Sequence, residues 1–116
     1  MLEIKIEELD GYTLCSPSGE LDAYTVASFR EALSRLVEHK RVLIDLSAVP
    51  FMDSAGLGAL IGGIRKAREA ESEIAVVCEG PAVSRLLHTT GFDRLVPVTE
   101  SIEDALEILD EVDSPE

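Results

Sequence analysis

Tryptophan is absent from this chain of 116 residues, and aromatic residues make up only 4% of it. Platforms on which bases stack are built from aromatic rings, so the chain is poorly equipped to bind single-stranded nucleic acid. Positive charge is scarce as well. Ten lysines and arginines stand against 23 acidic residues, a net charge of −13. Nucleic acid and anionic membranes both call for basic patches, so neither is an expected partner. The same imbalance suits a basic protein partner, and equally a small domain that uses acid only for solubility. No apolar run reaches the roughly 18 residues of a membrane span, so membrane insertion is not expected. Met1-Leu2-Glu3-Ile4-Lys5 has neither the basic nor the apolar region of a signal peptide. Only two cysteines occur, Cys15 and Cys78, both in apolar, strand-like stretches. Free thiols in a cytoplasmic protein are the simpler expectation than a disulfide. Repeats, linkers and low-complexity segments are also missing. The length fits one compact domain over 1–112, with a polar tail at 113–116.

What is present is a core-forming chain, 46% hydrophobic, organised around residues 42–69. Val42 to Leu46 is a short apolar run with strand character. A turn containing Pro50 follows. From Ser54 the spacing of Leu57, Leu60, Ile61, Ile64 and Ala67 predicts a helix to about Ala70. Before this unit, Leu2, Ile4 and Ile6 alternate with charged residues, and Asp10-Gly11 turns the chain into a second strand, Tyr12 to Cys15, ended by Pro17-Ser18-Gly19. Asp22 then caps a helix whose stripe is Val26, Phe29, Leu33, Leu36 and Val37, ending near His39-Lys40. After it come a buried strand at Ile74 to Val77 and a helix opened by Gly80-Pro81 with Val83, Leu86 and Leu87 inward. An edge strand at Leu95 to Val98, limited by Pro97, follows. A last helix is capped by Ser101, with Ile102, Ala105, Leu106, Leu109 and Val112 on one face. The order ββαβαβαβα implies an α/β fold: a mixed, mostly parallel sheet opened by an antiparallel hairpin whose first strand lies at the edge.

Gly56, Gly58, Gly62 and Gly63 do not form a dinucleotide fingerprint, because Ile61 stands where G-x-G-x-x-G needs glycine, and no Gly-Lys-Ser/Thr follows. Each helical glycine costs about 1 kcal/mol relative to alanine, so something must compensate. Close helix–sheet packing is expected for Gly62 and Gly63. Gly56 and Gly58, in the first turn, leave the surface around Ser54 open. Asp53-Ser54 reads locally as a helix cap. A serine nucleophile needs a base, and the only histidines, His39 and His88, lie elsewhere; the pentad Met52 to Gly56 lacks the Gly-x-Ser-x-Gly elbow. Asp45, in mid-strand, needs a partner or water. It reads as structural rather than as a receiver-type phospho-acceptor, for want of accompanying acids. Glu20, Asp22 and Asp53 are expected to converge on one sheet edge, with no metal-specific spacing.

Phe51 to Gly58 preceded by Leu43-Ile44-Asp45-Leu46-Ser47, then Gly19-Glu20-Leu21-Asp22, then Pro81 to Leu87 followed by Gly91-Phe92, together resemble the STAS domain of bacterial anti-sigma-factor antagonists. The resemblance covers nearly the whole chain and implies partner switching. An unphosphorylated antagonist binds an anti-sigma factor that is also a serine kinase. That kinase phosphorylates the serine after the motif's aspartate, here Ser54, and a serine phosphatase restores it. The chain would be a kinase substrate and binding module rather than an enzyme, and would need no cofactor of its own. The partner face implied is Glu20, Asp22 and Tyr24 at the rim, with Asp53, Ser54, Ala55, Gly56, Leu57 and Gly58 at the centre. Asp53 caps the helix, and the glycines keep the surface flat. Some members carry a second hydroxyl after the acceptor, where this chain has Ala55. Others are non-switching subunits of ABC-type lipid transporters or larger signalling assemblies. A third reading is an enzyme or nucleotide-binding protein that uses the helix N-terminus, with its free N–H groups and the positive end of its dipole, as an anion site.

Overall fold

The computed structural model describes residues 2–113, with side chains described as far as Glu111. Among these residues the elements run β1 (Glu3–Leu9), β2 (Tyr12–Ser18), α1 (Val26–Leu36), β3 (Arg41–Asp45), α2 (Ser54–Glu69), β4 (Glu73–Val77), α3 (Pro81–Thr89), a 3-10 turn (Phe92–Arg94), β5 (Val98–Thr99) and α4 (Ile102–Asp113). The expected order is the observed one.

The five strands lie side by side in chain order. β1 pairs antiparallel with β2, Leu9 opposite Tyr12 across the Asp10-Gly11 turn. The β2–β3, β3–β4 and β4–β5 ladders are parallel. Because every crossover steps in the same direction, α1, α2 and α3 fall on one face of the sheet. There Phe29, Leu33, Leu60, Ile64, Val83 and Leu87 close over Cys15, Val42, Ile44 and Val76. α4 covers the other face, setting Ala105 and Leu109 on Leu14, Leu43, Ala75 and Val77. A sheet covered on both sides explains why β3 and β4 read as continuous apolar runs. Arg41 fastens α4 to the sheet: its guanidinium reaches Asp110 Oδ1 at 2.7 Å and Glu73 Oε1 at 3.2 Å. Its hydrogen bond to the Asp110 carboxylate leads the effects that raise its pKa.

Several boundaries differ from expectation for physical reasons. β2 continues through Pro17 to Ser18, because Pro17 pairs with Ile4 of β1 while the ladder to β3 spans only Thr13 to Cys15. The missing N–H therefore breaks no bond to β3. α1 begins at Val26, and Asp22 caps the turn ahead of it rather than the helix; its other end is Leu36, not His39-Lys40. Asp45 is the last residue of β3, half-exposed, with Oδ1 accepting from Ser47 N at 2.9 Å. β5 starts after Pro97 rather than at Leu95, since residues 92–94 wind into the 3-10 turn that buries Phe92. The Val112 side chain and residues 114–116 of the expected tail lie outside the described residues, and Asp113 still belongs to α4.

Cys15 and Cys78 are free and buried. Cys15 lies in β2 and Cys78 directly follows β4, with β3 between, so two strand spacings, about 9.6 Å, keep them beyond disulfide reach. Burial pushes the Cys15 thiol from 9.0 up to about 11, and burial is also the leading cause of the rise at Cys78. Neither thiol should react with an aromatic disulfide reagent at pH 8 until the protein is unfolded. An elevated folded pKa means the unfolded thiol ionises first. The Cys15 contribution is therefore complete below about pH 9 and fades towards pH 11. Urea unfolding should show about 1 kcal/mol less stability at pH 10 than at pH 8 from this group, and Cys15→Ala should lose that part of the difference.

Candidate functional site

The segments that follow β2 and β3 run alongside one another at the carboxyl edge of the sheet. Gly19 N donates to Ala48 O at 3.1 Å, Leu21 N to Phe51 O at 3.0 Å, and Asp53 N to Leu21 O at 3.0 Å. Leu21 and Met52 form a parallel bridge, and both are buried. Gly19 adopts φ +116°, a conformation that only glycine takes without strain and that turns the chain into this pairing. The loop after β4 joins them where Glu79 N donates to Ser47 Oγ at 3.3 Å. The structure thus brings Glu20, Asp22 and Tyr24 together with residues 53–58.

α2 begins where Asp53 adopts extended geometry and its Oδ1 accepts from Ala55 N at 2.9 Å and Gly56 N at 3.1 Å. Leu57 N bonds to Asp53 O at 3.0 Å. This narrows the picture of an open anion site, because Asp53 already occupies two of the amides that would hold an anion, those of Ala55 and Gly56. Ser54 is the first helical residue and is exposed. Among the described residues its hydroxyl makes no hydrogen bond. Neither histidine is bonded to it. His39 Nδ1 lies 3.2 Å from Thr13 Oγ1, ahead of the amino end of β3, and His88 Nδ1 lies 2.8 Å from Asp93 Oδ2.

The preceding loop is held by its own side chains. Asp22 Oδ1 accepts from Tyr24 N at 2.9 Å and Thr25 N at 3.1 Å, and Thr25 Oγ1 donates to Glu20 O at 2.8 Å. Asp22 therefore shapes the turn that presents its neighbours, while Glu20 points to solvent. Among the described residues no group of three or more histidine, cysteine, aspartate or glutamate side chains is arranged to hold a metal.

Tyr24 is 96% exposed and Phe51 50% exposed, on segments zipped together by the Leu21–Met52 bridge. Large exposed aromatics beside a polar rim are the usual anchors of protein interfaces. Phe51 was not among the residues expected at the site. The available signal was alternation: with Met52 turned inward in an extended segment, its neighbour faces out.

The glycines divide in two. A Cβ on Gly56 would stand 2.7 Å from Leu21 O and 3.0 Å from Met52 Cγ, so Gly56 is a buried close-packing residue and not part of the outer surface. Gly63 does similar work against Leu33 of α1, so its partner is a helix rather than the sheet. Gly58 and Gly62 are exposed and have nothing within 4 Å of a Cβ. Close packing, expected for Gly62, does not explain it. Ala55 and Leu57 are half-buried at the edge of the core.

The STAS-domain family model matches residues 3–105. The chain belongs to the STAS-domain family. A STAS relative, the anti-sigma F factor antagonist of Paenibacillus polymyxa, is 30% identical over 114 residues, covering 96% of this chain and 97% of that protein. The crystal structure of an anti-sigma factor antagonist from Mycobacterium paratuberculosis is similar with a TM-score of 0.86 and 34% identity, covering 93% of each chain. Bacillus SpoIIAA shares the STAS fold in its unphosphorylated form (TM-score 0.67, 19% identity, 97% of this chain and 100% of that one) and its phosphorylated form (0.69, 18%, 92% and 99%). Within this STAS domain the two kinds of glycine should separate on substitution. Gly56→Ala forces a methyl against backbone and should cost about 1–3 kcal/mol. Gly58→Ala adds helix propensity in open space and should gain about 1 kcal/mol. Urea unfolding of both variants measures the difference.

Proposed function

We propose that this STAS protein is an anti-sigma-factor antagonist that works by partner switching, with Ser54 as the phosphorylated residue. The observation that carries the reading is the Ser54 hydroxyl: exposed, without a partner among the described residues, at the head of α2 and beside two exposed aromatics. The names of the relatives support the partner class. On this reading residues 1–112 act as a single binding module with no catalytic role and no cofactor. The anti-sigma factor doubles as a serine kinase in the cytoplasm, and a serine phosphatase reverses the modification.

The electrostatics favour a local block. Phosphate on Ser54 adds about −1.5 to −2 charges next to the Asp53 carboxylate. Asp53 holds the Ala55 and Gly56 amides, so the phosphate projects outward, into whatever covers the face. In a bound complex it would lose hydration or meet partner carboxylates. A penalty of about 3–4 kcal/mol weakens binding several-hundredfold. SpoIIAA keeps the same fold in both phosphorylation states, which accords with a change of surface rather than of structure.

Intact mass of the protein isolated from its own cells tests the acceptor. A single phosphate is expected on the parent and none on Ser54→Ala; a phosphate retained in Ser54→Ala would overturn the assignment. Ser54→Glu should weaken binding to the anti-sigma factor at least tenfold in calorimetry, and Ser54→Ala should not. A protein that stays unmodified under growth and stress would point to a constitutive subunit of a larger assembly.

A further inference from the structure

Beyond the Ser54 edge, α1 and α2 leave a groove of about 280 Å³ between them, floored by Leu33 and Val37 and opened by Gly58 and Gly62. Its charge is opposite to that of the chain. Arg30 and Lys66 line it, and no carboxylate does, in a protein with 23 acidic residues and 10 basic ones. Neither cation is committed to an ion pair or hydrogen bond among the described residues, and Glu31, next to Arg30 in sequence, is held by Arg35 at 2.7 Å. Gly58 and Gly62 sit one turn apart on the exposed face of α2, continuing the stripe that begins at Ser54. The fold gives no internal reason for glycine at either position, since both would accept a side chain without contact. What a bare stripe offers is close approach of a second backbone.

We propose that this groove seats an acidic helix of the anti-sigma factor, laid along α2 from Ser54 towards Lys66. Its backbone rests close to Gly58 and Gly62, its small or apolar residues meet Leu33 and Val37, and its carboxylates pair with Arg30 and Lys66. On the α1 side the groove runs from Arg30 to Val37, the residue that caps the helix, a separation of seven residues or about 10.5 Å. Two carboxylates about seven residues apart on the partner match that length. The docking face thus runs beyond the head of α2, and the partner is locally acidic there despite the −13 charge of this chain. The inference rests on the anti-sigma-factor reading above.

The test is calorimetric titration of the purified anti-sigma factor recovered with this chain, using parent, Ser54→Glu, Gly62→Leu, the double charge reversal Arg30→Glu/Lys66→Glu, and the control Arg85→Glu/Arg94→Glu, which changes net charge equally on the α3 side. Gly62→Leu replaces an open helical glycine by a better helix former, so its melting temperature should be equal or higher while affinity falls at least tenfold. The Arg30/Lys66 reversal should also lose at least tenfold, and the control should stay within twofold. If parent binds and Ser54→Glu does not, yet both groove variants bind like parent, the groove proposal is overturned and the switching reading stands. Loss in Gly62→Leu with no loss in the charge reversal overturns the acidic occupant. Failure of the parent to bind any anti-sigma factor overturns the reading and the groove proposal together.

Discussion

Three backbone hydrogen bonds between residues 19–21 and 48–53 hold together the edge that carries the candidate site. They convert two loops from separate βα units into one continuous strip. Leu21 lies fully buried beneath it, and Gly56 is bare because Leu21 O occupies the space where its Cβ would be. The position of Ser54 is therefore set from both sides. Asp53 N is tied to Leu21 O, and the Asp53 carboxylate is tied to the first free amides of α2. Buried backbone groups carry a high cost when unpaired, so the strip has little freedom to rearrange. Glu20, Tyr24, Phe51 and Ser54 consequently belong to a single preformed surface.

That rigidity would decide how the proposed phosphate at Ser54 acts. A helix N-terminus with vacant amides would draw an added phosphate inward and neutralise part of its effect. Here Asp53 has taken the Ala55 and Gly56 amides, so the charge of the proposed phosphate would be left on the outside, where a partner would have to meet it or exclude it. Net charge alone would have suggested a basic partner everywhere on this acidic chain. The α1–α2 groove contradicts that at close range, since screening over about 8–10 Å at physiological salt leaves nearby cations in control of what sits beside them. In the proposed complex, global charge would govern encounter, and Arg30 and Lys66 the local fit.

Much of the architecture was legible in the chain. The alternation of Leu2, Ile4 and Ile6, the unbroken apolar runs of β3 and β4, and the helical spacing of Leu57, Leu60, Ile61 and Ile64 each report burial directly. Boundaries were less legible where pairing overrides local signals. Pro17 reads as a terminator, but beyond the β3 ladder its missing N–H costs nothing. Asp22 reads as a helix cap, but its carboxylate is spent on the amides of Tyr24 and Thr25, in a turn that ends before α1 begins at Val26. At the site, Asp53-Ser54 and the acidic loop were visible as sequence. The roles of the glycines were not, although Gly56 and Gly63 are seven residues apart on the buried stripe while Gly58 and Gly62 are four apart on the open one. The outward direction of Phe51 follows from alternation only once Met52 is known to face inward, and the bridge that turns Met52 inward is formed with Leu21, far away in sequence.

The central claim is that phosphate at Ser54 changes what the surface presents and leaves the fold alone. Backbone amide chemical shifts of the protein with and without phosphate on Ser54, recorded by heteronuclear NMR, test it most directly. The account predicts changes confined to residues 19–25 and 48–62, with β4, α3 and α4 unmoved. Large shifts in those remote elements would contradict it and make phosphorylation a refolding event.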